Sequence, residues 1–180
     1  MNFPRLLLAV CAIAGAGSLH AAQWQPRGAF IEGGNTTHGT RSVTAGLDWP
    51  WDWQDTWHNA QVSGITEAYL SEWSAREVGE RRTITQLGVL PMLRIRFRGG
   101  ASPWFVEAGI GASVTSPVYR TVTKQFSTAF NFVDVLGIGR SLDVEHRHDL
   151  SLRFQHISNA DIKKPNPGEN FLQLRYGFAF

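Results

Sequence analysis

The sequence predicts an all-β protein, an eight-stranded antiparallel transmembrane β-barrel that follows a cleaved signal peptide. Apolar and polar residues alternate with a period of two in eight segments, and no sustained 3.6-residue periodicity is present. Beyond the N-terminus, no apolar stretch is long enough for a membrane helix. Charged residues recur on one strand face and apolar residues on the other, as in strands that separate a polar lumen from lipid.

The N-terminus has the layout of a secretory signal peptide. Arg5 precedes an apolar run from Leu6 to about Gly17, and small residues follow at Ala21 and Ala22. We therefore expect a signal peptide over residues 1–22 and a barrel domain over residues 23–180. The single cysteine, Cys11, lies in the segment that is removed, so disulfide and thiolate chemistry are excluded for the mature chain.

The composition suits one domain and argues against nucleic acid as a partner. The chain has 180 residues, of which 43% are hydrophobic. Lys and Arg total 17 against 15 for Asp and Glu, and this near balance leaves no basic stripe of the kind that nucleic-acid binding needs.

Turn-forming clusters divide the chain into the strands of this barrel. Gly, Pro, Asn and charged residues, as in "RGGAS" and "EHRHD", separate the alternating segments. The third and sixth segments alternate less cleanly than the others. The predicted strands are residues 27–36, 41–51, 58–72, 83–97, 103–113, 128–140, 148–158 and 170–180.

The two faces of the strands indicate a membrane barrel. The fourth strand has Leu87, Val89 and Leu93 on one face and Arg94 and Arg96 on the other. The remaining strands give further lumen charges, Glu107, Arg153 and Arg175. An eight-stranded barrel is filled by side chains, so we expect these charges to pair across a narrow lumen.

Aromatic residues give independent support. Trp49, Trp51, Trp53 and Trp57 crowd one strand connection in "DWPWDWQDTW", as an interfacial girdle would, although a Trp-rich soluble core is an alternative. The last strand, "LQLRYGFAF", ends on Phe180 and resembles the assembly signature that bacterial outer-membrane barrels present to the barrel-assembly machinery.

Strand parity places a serine and a histidine on the lipid-facing wall. With the C-terminus at the periplasmic rim, the connection over residues 159–169 is extracellular. Counting by twos from the apolar residues of the seventh strand brings His156 and Ser158 outward, near the outer leaflet. Exposed polar groups are costly there unless they are hydrogen-bonded.

This pair suggests nucleophilic catalysis, because a base that accepts the proton of a serine hydroxyl lets it attack an ester carbonyl. Cα atoms two residues apart on a strand are roughly 6.5 Å apart, within reach of a leaning imidazole. Asn159 and Asn166 are candidate oxyanion donors, each worth about 3 kcal/mol if well placed. By itself, H-x-S also fits a strand that simply ends at the headgroup level.

The longer string "QHISNADIKKPNPGEN" closely resembles the signature of the PagL family of lipid A deacylases. The resemblance implies an eight-stranded outer-membrane barrel that hydrolyses the 3-linked hydroxyacyl ester of lipid A with a His, a Ser and an acidic residue. Carried over by position, His156 is the general base and Ser158 the nucleophile.

The third member of the implied triad is ambiguous in the sequence. An ungapped reading of the family pattern places Asn170 at the acidic position, with Glu169 one residue earlier. We favour Glu169 because a carboxylate stabilises the imidazolium, although parity sends it inward unless the loop has not yet entered the pleat. Asp161 is a more distant candidate.

Further expectations concern ligands and partners. Lys163 and Lys164 belong either to a solvated loop or to a surface that attracts lipid A phosphates. The other histidines show no ligand spacing, so no metal and no cofactor are expected. A homodimer is left open.

Three other functions remain compatible with the residues alone. A small barrel could act as an adhesin or structural protein, could move acyl chains onto lipid A, or could be a soluble carrier. The mass of lipid A distinguishes hydrolysis from the first two, and cell fractionation identifies the third.

Overall fold

The protein is described by a computed structural model over residues 25–180. Eight antiparallel strands, each paired with its neighbours in sequence, form a closed barrel. The strands are β1 (Gly28–Asn35), β2 (Arg41–Trp57), β3 (Ala60–Arg76), β4 (Arg81–Phe97), β5 (Trp104–Ser116), β6 (Phe130–Ser141), β7 (His148–Ser158) and β8 (Glu169–Ala179). The predicted fold class is confirmed. The predicted signal peptide, residues 1–22, lies outside the described residues.

The second strand differs most from its prediction. β2 continues to Trp57, six residues beyond the predicted end at 51, and the Trp-rich segment is therefore part of a strand. An irregularity in the pairing with β3 between Pro50 and Gln54 lets the hairpin continue past Pro50. Trp51, Trp53 and Trp57 are exposed in this part of β2. Their role as an interfacial girdle stays a prediction.

Pairing of the first and last strands closes the barrel. Gly28 pairs with Ala179, and Asn35 pairs with Leu172. Closure leaves no free sheet edge, as lipid requires. We call the end that carries residues 28 and 179 the terminal end, and the opposite end the loop end. The connections at the loop end are 36–40, 77–80, 117–129 and 159–168.

The lumen is filled by a network of ion pairs. Arg153 is 2% exposed and lies 2.7 Å from Glu67 and 2.6 Å from Glu107. Arg175 lies 2.8 Å from Asp48 and 3.0 Å from Glu67. Further in the network, Arg94 contacts Glu107 and Asp149 at 3.0 and 2.6 Å. The predicted pairing of lumen charges is thus confirmed, and each buried charge has the partner that its burial demands.

The outer wall is apolar. Large exposed side chains, mostly aliphatic, cover the outward face of the strands, among them Ile31, Leu87, Val89, Ile110, Leu136, Leu152, Leu172 and Leu174. This distribution is typical of a membrane barrel, with a polar interior and a lipid-facing apolar band. Within residues 25–180, no helix is both long and apolar enough to span a bilayer.

Aromatic residues close the lumen at the loop end. The buried Trp73 ring packs against Tyr119 at 5.5 Å and against Phe171 at 5.0 Å between ring centroids. Phe126 adds an edge-to-face contact with Tyr119 at 4.9 Å. Since Tyr119 and Phe126 come from the 117–129 connection, this cluster docks that connection over the barrel mouth, beside the start of β8.

Candidate active site

His156 and Ser158 lie on the outer wall of β7, close to the loop end. Residues 150, 152 and 154 of the same strand are exposed, whereas Ile157, between the two candidates, is fully buried. His156 and Ser158 are both partly exposed. The alternation of β7 therefore continues to its last residue, and both polar side chains share the outward face with Leu150, Leu152 and Phe154.

Asn170 holds the imidazole of His156. The two residues are cross-strand partners between β7 and β8, and Nδ1 of His156 lies 2.6 Å from Oδ1 of Asn170. A carbonyl oxygen only accepts hydrogen bonds, so this contact places the proton on Nδ1 and leaves Nε2 as the basic nitrogen. The arrangement produces the tautomer that a general base needs.

Gly168 packs against the opposite part of the same ring. It has a left-handed φ of +58°, and a Cβ at this position would lie 2.7 Å from Cε1 of His156. Only glycine satisfies both conditions without strain. The imidazole is thus bordered by the amide of Asn170 and by the bare backbone of Gly168.

Glu169 makes no hydrogen bond or ion pair with His156. The sequence allowed it to reach the imidazole only if it preceded the pleat of the last strand, and it lies within that pleat. It is already the first residue of β8, where it pairs with Ile157, and its side chain is 1% exposed on the lumen face. Consecutive residues of a strand point to opposite faces, so Asn170 points to the imidazole and Glu169 points away from it.

Glu169 instead joins three parts of the loop end. Tyr119 donates a hydrogen bond of 2.7 Å to Oε2, and the Lys124 ammonium lies 3.2 Å from Oε1. The same ammonium donates to the carbonyl of Gly168 at 2.8 Å. His38, from the first connection, lies 3.4 Å from Oε1. This set of contacts fastens the segment 168–170 that borders His156.

Burial raises the pKa of the Tyr119 phenol above its ordinary value, and the carboxylate of Glu169 acts in the same direction. The phenol therefore stays protonated and remains a donor to Glu169. Thr40 lies 2.8 Å from the same phenol oxygen and extends the network to the start of β2.

The two predicted oxyanion donors hold the 159–168 connection together. Nδ2 of Asn159 donates to Ser127, Thr128 and the carbonyl of Lys163, at 3.0, 3.1 and 2.8 Å. Oδ1 of Asn166 accepts the backbone N–H of Asn159 at 3.0 Å. The side-chain amide of Asn166 makes a longer bond of 3.3 Å to Asp161.

The remaining predicted site residues lie in this connection. Lys163 and Lys164 are exposed, and so is Asp161, whose carboxylate contacts Asn166 rather than His156. Among the described residues, no group of three or more His, Cys, Asp or Glu side chains could hold a metal ion.

Reasoning from the sequence missed Gly168, Tyr119 and Lys124. A glycine two residues before the predicted eighth strand is a signal that could have been used, because such positions often need a positive φ. Tyr119 and Lys124 carried no local signal, since their contacts depend on how the 117–129 connection docks.

A family profile described as lipid A 3-O-deacylase (PagL) matches residues 41–179. The chain belongs to this family. The match includes both candidate residues of β7 and the whole of the connection that follows.

Two members of the family and two solved structures are similar to the chain. The lipid A deacylase PagL of Pseudomonas aeruginosa is 28% identical over 173 residues, covering 94% of this chain and 96% of the relative. The PagL of Bordetella bronchiseptica is 33% identical over 163 residues, covering 88% of each chain. The crystal structure of the outer membrane enzyme PagL superposes with a TM-score of 0.74 at 25% identity, over 85% of this chain and 99% of the other. Neisserial surface protein A superposes at a TM-score of 0.50 with 10% identity, over 85% of this chain and 94% of the other, a likeness of fold alone.

Proposed function

We propose that the chain is an outer-membrane serine esterase that hydrolyses the 3-linked hydroxyacyl ester of lipid A and releases a fatty acid. The observation that carries the proposal is the His156–Asn170 contact of 2.6 Å beside Ser158, on the wall of the barrel that faces lipid. Family membership supports the substrate class.

In this mechanism, His156 takes the proton of Ser158 on Nε2, and the serine oxygen attacks the ester carbonyl of a chain lying beside β7. The tetrahedral intermediate collapses as the imidazolium gives its proton to the departing alcohol. Water, activated by the same imidazole, then hydrolyses the acyl-enzyme. The Ser158 hydroxyl has no hydrogen-bond partner among the described residues, so its contact with Nε2 forms when the ester is positioned.

Asn170 has the positioning role that the sequence had assigned first to Glu169. A neutral amide can orient a catalytic imidazole, as in Cys-His-Asn enzymes. Glu169 affects His156 only indirectly. Its contacts with Lys124 and Tyr119 hold the backbone next to Asn170 in place.

Of the two predicted oxyanion donors, Asn166 is the better candidate. The amide of Asn159 already donates to three acceptors inside the loop, whereas the amide of Asn166 makes one long bond to an exposed carboxylate. Turning that amide toward the reacting carbonyl exchanges its bonds to Asp161 and to the backbone N–H of Asn159 for a contact that contributes about 3 kcal/mol when well placed.

The orientation follows from the same assignment. We propose that the terminal end faces the periplasm and that the loop end lies at the outer leaflet, where lipid A resides. Lys163 and Lys164 then lie at the headgroup layer, suited to lipid A phosphates. Recognition of the Phe180 strand by the barrel-assembly machinery and formation of a homodimer stay predictions.

Mass spectrometry of lipid A tests the proposal. Cells that make the wild-type chain should yield lipid A lacking one hydroxyacyl chain, and cells that make Ser158→Ala should yield unmodified lipid A at equal barrel abundance. An unchanged acyl count with wild type would favour a non-enzymatic barrel, and a mass gain would indicate acyl transfer. Deacylation by Ser158→Ala would remove Ser158 from its role.

A further inference from the structure

Asp134 is an acidic residue on the lipid-facing wall of β6. Its neighbours Val133 and Val135 are buried, so its side chain points outward with Leu136, which is 64% exposed. On the β5 side its cross-strand partner is Ile110, itself 67% exposed. The carboxylate thus lies within an apolar surface.

An ionisable group at such a position is costly and usually functional. Within residues 25–180, the carboxylate of Asp134 has neither a hydrogen bond nor an ion pair, so it has no structural role of its own there. This contrasts with the lumen charges, each of which is paired. Within the same residues, Glu72 on β3 also points outward without an ion pair, so what distinguishes Asp134 is a task set by its neighbours in the sheet.

The register of the sheet places that task at His156. Asp134 pairs with His156 across β6 and β7, and His156 pairs with Asn170 across β7 and β8. The three side chains form one row on the outer wall, with the imidazole in the middle. Directly opposed residues in an antiparallel pair have Cα atoms about 4.5 to 5.5 Å apart.

The other side chains that face the imidazole carry no charge. From β8 the cross-strand partner is the neutral Asn170, and the preceding connection contributes only the backbone of Gly168. Lys124 reaches the carbonyl of Gly168, but its ammonium is paired with Glu169 on the lumen side. Asp134 is consequently the one carboxylate that faces His156 from the described strands on either side.

We propose that Asp134 is an electrostatic positioning residue for His156. When the proton of Ser158 moves to Nε2 and the serine oxygen bonds to the ester carbon, the imidazole gains a positive charge. Asn170 orients the ring but adds no countercharge, and Asp134 supplies it from the other flank. Asp134 takes up no proton, and the imidazolium passes its proton to the leaving alcohol.

This inference rests on the proposed function, and the pH profile of kcat/KM tests it. Release of hydroxy fatty acid from lipid A in mixed micelles would be measured between about pH 4 and pH 9 for wild type, Asp134→Asn and Asp134→Glu. Loss of a unit charge from the cross-strand neighbour of the imidazole gives an expected loss of about 10- to 100-fold for Asp134→Asn.

The pH profile separates this role from a structural one. Removal of the negative charge leaves the imidazolium that forms during the reaction without its countercharge, so the acidic limb of Asp134→Asn should move to lower pH. Asp134→Glu should restore most activity and the wild-type limb. Glu72→Gln, an outward acidic residue on the distant β3, should leave the profile unchanged.

Two outcomes would overturn the inference. In one, the acidic limb of Asp134→Asn coincides with that of wild type; in the other, only KM changes, which would make Asp134 a substrate contact. Migration on unheated gels would verify that each barrel is folded. Deacylation by Ser158→Ala would overturn the proposed function instead, and the inference with it.

Discussion

Gly168 forms the surface against which the imidazole of His156 packs, and no side chain fits between them. A Cβ at residue 168 would lie 2.7 Å from Cε1 and 3.4 Å from Nε2 of His156. The imidazole of the proposed general base can occupy its position because residue 168 has no Cβ.

Replacing Gly168 by Ala should reduce deacylation at least tenfold while the barrel still folds. The positive φ of +58° adds strain to the collision with the imidazole, so either the ring or the backbone must shift. A displacement of about 1 Å costs a catalytic geometry on the order of 100-fold. Fatty-acid release by the purified variant measures the effect.

Gly39→Ala is the matched control, because Gly39 also has a positive φ, +80°, yet a Cβ there would meet nothing within 4 Å. It shares the backbone strain without the collision. Equal losses in both variants would show that strain, rather than contact with His156, explains the effect.

Asn170→Asp should keep or raise activity and move the acidic limb of the pH profile upward. A carboxylate in place of the amide still accepts the hydrogen bond from Nδ1–H of His156 and also stabilises the imidazolium that forms during the reaction. Asn170→Ala should lose about 10- to 100-fold, since the ring loses its orienting bond. A pH-rate series on both variants gives the comparison, and full activity of Asn170→Ala would contradict the positioning role.

Lys124→Met should lower activity even though Lys124 does not contact the substrate in the proposed mechanism. It leaves the buried carboxylate of Glu169 without its lysine partner and frees the carbonyl of Gly168, so the segment beside His156 loosens. We expect a fall in kcat of about tenfold with a smaller change in KM. Kinetics on lipid A micelles would test this.

The control for Lys124→Met is Arg120→Met, which removes a positive charge from an exposed position of the same connection. If both variants lose activity equally, the charge of the loop matters rather than the contacts with Gly168 and Glu169.

Arg153→Met should destabilise the barrel strongly. Three glutamates face this guanidinium, Glu32, Glu67 and Glu107, and its removal leaves them buried with like charges close together. Breaking a buried ion pair from one side costs about 3 to 5 kcal/mol. Urea unfolding in lipid vesicles, followed by tryptophan fluorescence, reports the change.

Arg27→Met supplies the comparison, because its ion pair with Asp52 is exposed, with side-chain exposures of 54% and 77%. Pairs of this kind contribute about 0 to 1 kcal/mol. Similar losses in the two variants would contradict the importance of the lumen network.

Sequence by itself determined the barrel and the wall on which His156 and Ser158 lie. The alternation of apolar and polar residues is a local property of extended backbone, so counting by twos from Leu150 brings out both His156 and Ser158 without knowledge of any other strand. The same counting placed Arg94, Arg153 and Arg175 in the lumen.

Only the tertiary structure decided which residues meet. Arg153 and Glu67 are 86 positions apart, and Arg175 and Asp48 are 127 apart, so their pairing depends on strand register around the closed barrel. The start of β8 at Glu169 places Asn170 rather than Glu169 beside His156, because a shift of one residue exchanges the two faces. Likewise, register alone put Asp134 beside His156. Such contacts depend on how strands distant in sequence pair with one another. The alternation of residues within one strand carries no information about that pairing.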